Sequence, residues 1–152
     1  MGSGAPAVRR NLRPADAHWA GNDPELVVDL RGPAAAAAIP KLRSAIERYP
    51  YPLTYLTWPG PNSNTFVAWL GREVPELRLT LPPTAIGKDF LGQQLGAMTP
   101  SGTGVQLSLG GLLGIAIGLN EGFELNLLGL VVGFDPRRVA IKLPGLGQLG
   151  VG

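Results

Sequence analysis

The stretch WPGPNSNTF, residues 58–66, places Ser63 at the foot of a run that reads as a helix. A hydroxyl there can act as a nucleophile or as a helix cap. Nucleophilic use needs a base, and the base needs an orienting partner. The chain holds one histidine, His18, and Lys88 is the other candidate base. No spacing in the sequence ties either to Ser63. These three, Ser63, His18 and Lys88, are the catalytic candidates. Capping by Ser63 or Asn62 is the competing expectation.

A second constellation is AIGKDF, residues 85–90, where Lys88 and Asp89 follow a glycine. A lysine beside a backbone turn can hold an anion. Asn62, Asn64, Lys88 and Asp89 are therefore the binding candidates, with a structural role or surface charge as the alternative for Lys88 and Asp89. The phosphate-loop pattern is not met, because Asp89 stands where Ser or Thr belongs. TPSGTG, residues 99–104, reads as a loop into a strand. Glu121 and Glu124 flank a hairpin turn and lie too close in sequence to face each other across a glycoside. With no cysteine, disulfides, thiolate nucleophiles and iron–sulfur clusters are excluded. A single histidine excludes a multi-histidine metal site. No metal and no cofactor is expected.

The elements that position these residues follow from composition and pattern. At 152 residues the chain fits one domain, and 45% hydrophobic against 16% charged residues indicates a packed fold. The 22 glycines and 15 prolines favour short elements. A net charge of +2 without any block of like charge argues against a nucleic-acid partner. Arg137, Arg138 and Lys142 are expected as solvated surface charge. MGSGAPAVRRNLRP has no apolar core and is not a secretory signal. That expectation places the chain in the cytoplasm or at a membrane periphery.

Residues 1–13 read as a flexible segment and 14–152 as a single domain, mainly helical with one or two short strands over 14–98 and antiparallel β over 99–147. Asp23 and Pro24 predict the start of a short helix. GPAAAAAIPKLRSAIERYP predicts a longer one, either kinked at Pro40 or reduced to a main helix over 40–48, with Ile39, Leu42 and Ile46 on one face. YPLTYLTW reads as a strand, and 63–73 as a helix with Phe66, Leu70 and Val74 on a stripe. Strands are predicted at 104–109, 112–119, 123–134 and 138–143, with NEG at 120–122 as a hairpin turn. Phe123, Leu125 and Leu127 point one way, and Glu124 and Asn126 the other. The apolar strands read as a buried hairpin, and their runs of about ten residues are too short for a transmembrane helix. The fold class is α+β: short helices packed on a glycine-rich antiparallel sheet.

WAGNDPELVVDLRG, YPYPLTYLTWPGPNSNTFVAWL, LPPTAIGKDF, TPSGTG and EGFELNLLGLVVGFD together resemble an uncharacterised bacterial family, domain of unknown function 3750, from Trp19 to Gly147. The resemblance implies no activity. Members of that family usually carry a longer N-terminal part with a His-Thr-Trp strand, so the chain is expected to be a shortened member or a truncated start. NSNTF also resembles the nucleophile motif of permuted papain-like hydrolases related to the NlpC-type peptidases, with Ser63 in the place of cysteine. That likeness implies a degenerate permuted papain-like fold without thiol chemistry.

Two functions stand side by side at this point. One is a non-catalytic binding or structural module at a membrane or envelope surface, with a peripheral membrane or protein partner. The other is a hydrolase or acyltransferase with Ser63 as nucleophile.

Overall fold

The structure is a computed structural model that describes residues 6–9, 14, 17, 18, 21 and 23–150. Most of the expected flexible segment 1–13 lies outside the described residues, as does Asn22 of the turn expected at 21–23. The architecture is α+β; the described residues form two helices, α1 (Gly32–Glu47) and α2 (Ser63–Glu73), and one 3₁₀ turn, Pro75–Leu77. A seven-stranded antiparallel sheet follows, in the order β1 to β7. Its strands are β1 (Gly96–Met98), β2 (Gly104–Leu109), β3 (Leu113–Gly118), β4 (Gly122–Leu127), β5 (Leu130–Asp135), β6 (Ala140–Leu143) and β7 (Gly147–Gly150).

Helix α1 is continuous through Pro40, with Pro33 in its first turn. The proline removes one backbone donor, but the flanking alanines keep helical propensity high. The buried stripe is Ala38 and Ala45, with Leu42 half-buried, and Ile39 faces solvent. Of the expected Ile39–Leu42–Ile46 face, Leu42 and Ile46 are half-buried and Ile39 alone is corrected. Small alanines let α2 approach, and Val74, Leu70 and Leu77 pack there. The Trp69 indole donates to the Ala45 carbonyl at 3.0 Å, locking the two helices together. Tyr49 stacks edge-on against Phe66 and Trp69 beside this bond.

Two expected elements are absent. Asp23–Pro24 starts no helix, since residues 23–31 run without regular structure and only Val28 and Leu30 pack on the core. YPLTYLTW forms no strand but a run of turns and bends. Pro52 removes one donor a ladder would need, and Pro50, Pro59 and Pro61 bound the run on both sides; the 58–59 and 60–61 peptide bonds are cis. The chain turns back on itself instead, Leu56 N–H donating to the Pro61 carbonyl at 2.8 Å.

The expected single strand at 123–134 is two strands, β4 and β5, joined by Leu128 and Gly129 with φ of 55° and 87°. Two consecutive positive φ values make a tight hairpin turn of the kind normally marked by Asn-Gly. Leucine at its first position hid it. Of NEG at 120–122, Asn120 and Glu121 do lie in the turn between β3 and β4, and Gly122 opens β4.

The sheet is inverted relative to the usual rule. Gln106, Ser108, Ala116, Glu124, Asn126 and Lys142 are buried on its inner face. Val105, Leu107, Ile115, Ile117, Phe123 and Phe134 are exposed on its outer face. The pairing aligns the outer residues in rows, such as Val105, Ile117, Phe123, Phe134 and Ile141 across five strands. The expectation of buried apolar strands is therefore corrected: alternation was right, but the side that is covered is the polar one. Helix α2 packs through Ala68 on Leu79, Leu81 and Ala85, and Leu81 in turn borders the inner face.

Candidate functional site

The polar inner face and the loops over it form one buried ion network. Glu124 on β4 receives the Lys88 ammonium on Oε2 and the Lys142 ammonium on Oε1, each at 2.5 Å. All three side chains are at most 5% exposed. Lys142 sits on β6, with β5 between it and Glu124. The residue on β5 in that row is Gly133, paired with both Glu124 and Lys142. A Cβ there would lie 3.2 Å from the Glu124 side chain and 2.3 Å from the Phe123 carbonyl oxygen, so the absent side chain opens the path between the two charges. Lys142 also donates to the Glu121 carbonyl at 2.6 Å. Its expected place in solvent is overturned, because its partners lie across the sheet and not in its own strand.

Around this centre, the Glu121 carboxylate accepts from the Ser101 N–H at 3.3 Å and the Thr103 hydroxyl at 3.2 Å. TPSGTG thus acts as a loop that ties down a buried carboxylate. Arg72 at the end of α2 donates to the carbonyls of Met98 and Lys88 and to Gln106 Oε1. Burial lowers the Arg72 pKa to about 10, with Asp89 opposing the shift. Asp89 is buried, and loss of solvation raises its pKa above that of an ordinary aspartate. Lys88 and Arg72 counter that rise, and Glu124 adds to it.

Asp89 gives a pH prediction. Its raised pKa means the folded state holds the proton more readily than the unfolded chain. The stability it contributes is complete below its unfolded pKa and is lost as pH rises through the folded one. Asp89→Asn should therefore melt about 2–4 °C higher than the parent at pH 7. The two should converge below about pH 4, when measured by thermal melts across pH. A variant that melts lower at neutral pH would show that attraction to Lys88 and Arg72 outweighs burial.

The cavity bordered by Lys88, Asp89, Thr99, Gln106, Glu121 and Glu124 has a volume of about 10 Å³, room for one water-sized sphere. Gln106 Nε2 is the one buried side-chain donor without a partner among the described residues. No organic substrate fits there, since substrate pockets usually run to several hundred Å³. A larger, open groove of about 1360 Å³ lies between residues 78–84 and strands β6 and β7; Arg78, Arg137 and Arg138 line it, with Glu25 and Asp135.

The motif around Ser63 is a clasp. Asn62 is the N-cap of α2: its side chain accepts from Thr65 N–H at 3.1 Å, and the Thr65 hydroxyl accepts from Asn62 N–H at 3.1 Å. Asn62 Nδ2 also donates to the carbonyls of Thr57 and Ile86, Asn64 Nδ2 donates to Ile86, and the Thr65 hydroxyl donates to Gly87. WPGPNSNTF and LPPTAIGKDF are thus bonded to each other. Gly87 allows this, with φ of 95° and the Asn62 side chain packed where a Cβ would stand. Capping falls to Asn62, not Ser63, which is the exposed first residue of the helix.

Ser63, His18 and Lys88 are not joined by any hydrogen bond among the described residues. His18 is exposed and pairs through Nδ1 with Asp23 at 3.0 Å. Lys88 is committed to Glu124 and, at 3.4 Å, to the Leu81 carbonyl. Of the binding candidates, Asn62 and Asn64 hold the 86–87 turn, and Lys88 and Asp89 join the buried network. Glu124, Lys142, Glu121 and Arg72 are the participants that sequence reasoning missed. The one signal, and only for Glu124 and Lys142, was a charged residue alternating with apolar ones in a strand.

The chain belongs to the family described as "Protein of unknown function (DUF3750)", whose model matches residues 1–90. No curated protein and no solved structure matches the chain.

Proposed function

We propose that this chain is a non-catalytic binding module that docks on a membrane surface through the apolar outer face of its sheet. The observation that carries this reading is the inversion of the sheet. The ions are turned inward and neutralise one another, while rows of Val, Ile, Leu and Phe are left facing out. Some fourteen half-exposed apolar side chains, at roughly 70–90 Å² each, make a patch on the order of 1,000 Å². That is about two to three times the largest apolar patch, roughly 300–600 Å², that a monomeric protein ordinarily leaves in contact with water. Such a surface is costly unless something covers it. No helix among the described residues is long and apolar enough to cross a membrane, so the contact proposed is peripheral.

The test is flotation with phospholipid vesicles. Leu107 and Ile115 are paired across β2 and β3 at the middle of the outer face. Leu107→Asn with Ile115→Asn should reduce vesicle binding at least tenfold. Unfolding free energy should change by no more than about 0.5 kcal/mol per substitution, as for exposed positions generally. Unchanged binding would remove the outer face from the reading. Labelling by a serine-directed fluorophosphonate that disappears in Ser63→Ala would overturn the non-catalytic assignment.

A further inference from the structure

The two ends of the sheet differ in chemistry. At one end lie the turns between β2 and β3 (110–112), β4 and β5 (128–129) and β6 and β7 (144–146), built from Gly, Leu and Pro alone. Leu128 and Leu146 at their tips are 64% and 69% exposed. At the other end lie Asn120, Glu121, Asp135, Arg137 and Arg138. From Gly96 to Gly150 the charged residues are Glu121, Glu124, Asp135, Arg137, Arg138 and Lys142. Four of these are buried, and the exposed pair, Arg137 and Arg138, is cationic and confined to that second end.

Exposed turns are normally polar because their backbone needs water. Here the turns at 110–112 and 128–129 meet that need internally. Gly111 N–H donates to the Ser108 hydroxyl at 3.0 Å, and the Gly111 carbonyl accepts from Asn126 Nδ2 at 3.1 Å. Gly129 N–H donates to Asn126 Oδ1 at 2.8 Å, and the Trp58 indole donates to the Leu128 carbonyl at 2.9 Å. Leu128 N–H donates to the Leu112 carbonyl, joining the first two turns. A turn whose polar groups are satisfied from behind is what hydrocarbon requires. Trp58, half exposed beside Leu128, belongs to a run from Tyr49 to Gly71 without one charged residue. Trp and Tyr favour the membrane–water boundary.

We infer that the sheet enters one leaflet obliquely, apolar turns and Trp58 deepest, while Arg137 and Arg138 bind anionic phospholipid headgroups. This rests on the membrane-docking reading above and adds orientation and lipid class to it. A six-residue strand spans about 20 Å, and half the hydrocarbon core about 15 Å. With the turns buried, the arginines therefore lie at headgroup level. Arg78 lines the same groove as Arg137 and Arg138 and adds positive charge there. The acidic groups facing them are Glu25, across the groove, and Asp135, which accepts from Arg137 N–H at 2.9 Å and lies 4.0 Å from the Arg138 guanidinium. The open-edged strands β1 and β7 are short, three and four residues, which limits unpaired backbone in lipid.

The full chain would be floated with vesicles of phosphatidylcholine alone and with 30% phosphatidylglycerol, and tryptophan emission followed with acyl-brominated lipid. Tighter binding to the anionic vesicles is expected. Arg137→Gln with Arg138→Gln should weaken binding to those vesicles by roughly 10–30-fold and leave neutral vesicles unaffected, given about 1 kcal/mol per basic residue at an anionic surface. Bromine quenching should be strong and should largely vanish in Trp58→Phe. Binding without quenching at Trp58 would overturn the insertion geometry and leave surface docking standing. Equal binding to both vesicles, unchanged in the arginine variant, would overturn the headgroup assignment. No binding to either vesicle, with a dimer in solution dissociated by Leu107→Asn, would overturn this inference and the membrane reading together in favour of a second copy as the occupant.

Discussion

Glu124→Gln should lower the unfolding free energy by about 3–5 kcal/mol, a large part of the 5–15 kcal/mol that holds a domain of this size together. Glutamine keeps the shape and one acceptor oxygen but removes the charge shared by Lys88 and Lys142, whose ammonium groups both lie 2.5 Å from the carboxylate. Two buried cations would then share one neutral acceptor oxygen, beside the Leu81 and Glu121 carbonyls that each already holds. The penalty comes from stranded charge, so removing all three ions should relieve it. Lys88→Met with Glu124→Leu and Lys142→Met should recover most of the loss, since apolar packing often replaces a buried ion group at no net cost. Urea unfolding of the two variants beside the parent checks both expectations. Parent-like stability of Glu124→Gln would mean that water reaches the lysines.

The same ion group explains what was legible in the sequence. Alternation along β4 separated Phe123, Leu125 and Leu127 from Glu124 and Asn126, and the strand bears that out. Alternation says which residues share a face; it does not say which face is covered. The ordinary presumption that charge faces water fails here because Glu124 meets its partners 36 and 18 residues away, pairings that no local pattern encodes. Lys142 was assigned to the surface for the same reason. The Leu128–Gly129 turn escaped because its signal normally resides in Asn or Asp, whereas here a leucine holds a φ of 55°. Helix α2 was legible because its start signal is local: an asparagine cap, then Thr65 three residues on. The bonds that join this cap to Ile86 and Gly87 were not, since they pair two motifs that the sequence presents separately.

Those bonds make Asn62 the second position of large effect. Asn62→Ala removes the acceptor for Thr65 N–H and both donations from Nδ2, one of which serves the Thr57 carbonyl at 2.9 Å. A lost cap costs about 0.5–2 kcal/mol and a buried unmatched carbonyl about 1–3, so a loss of about 2–4 kcal/mol is expected. At this chain length that lowers the melting temperature by roughly 6–12 °C. Asn62→Asp separates the two contributions. Aspartate caps a helix as well as asparagine does, but it would turn a carboxylate oxygen toward the Thr57 and Ile86 carbonyls. If the clasp between the two motifs dominates, Asn62→Asp should be at least as unstable as Asn62→Ala at pH 7. If capping alone matters, it should melt like the parent. Ser63→Ala, on an exposed side chain without a capping bond, should shift the melt by no more than a degree or two. A Ser63→Ala loss comparable to that of Asn62→Ala would return the cap to Ser63 and undo the assignment of this motif as a clasp built on Asn62.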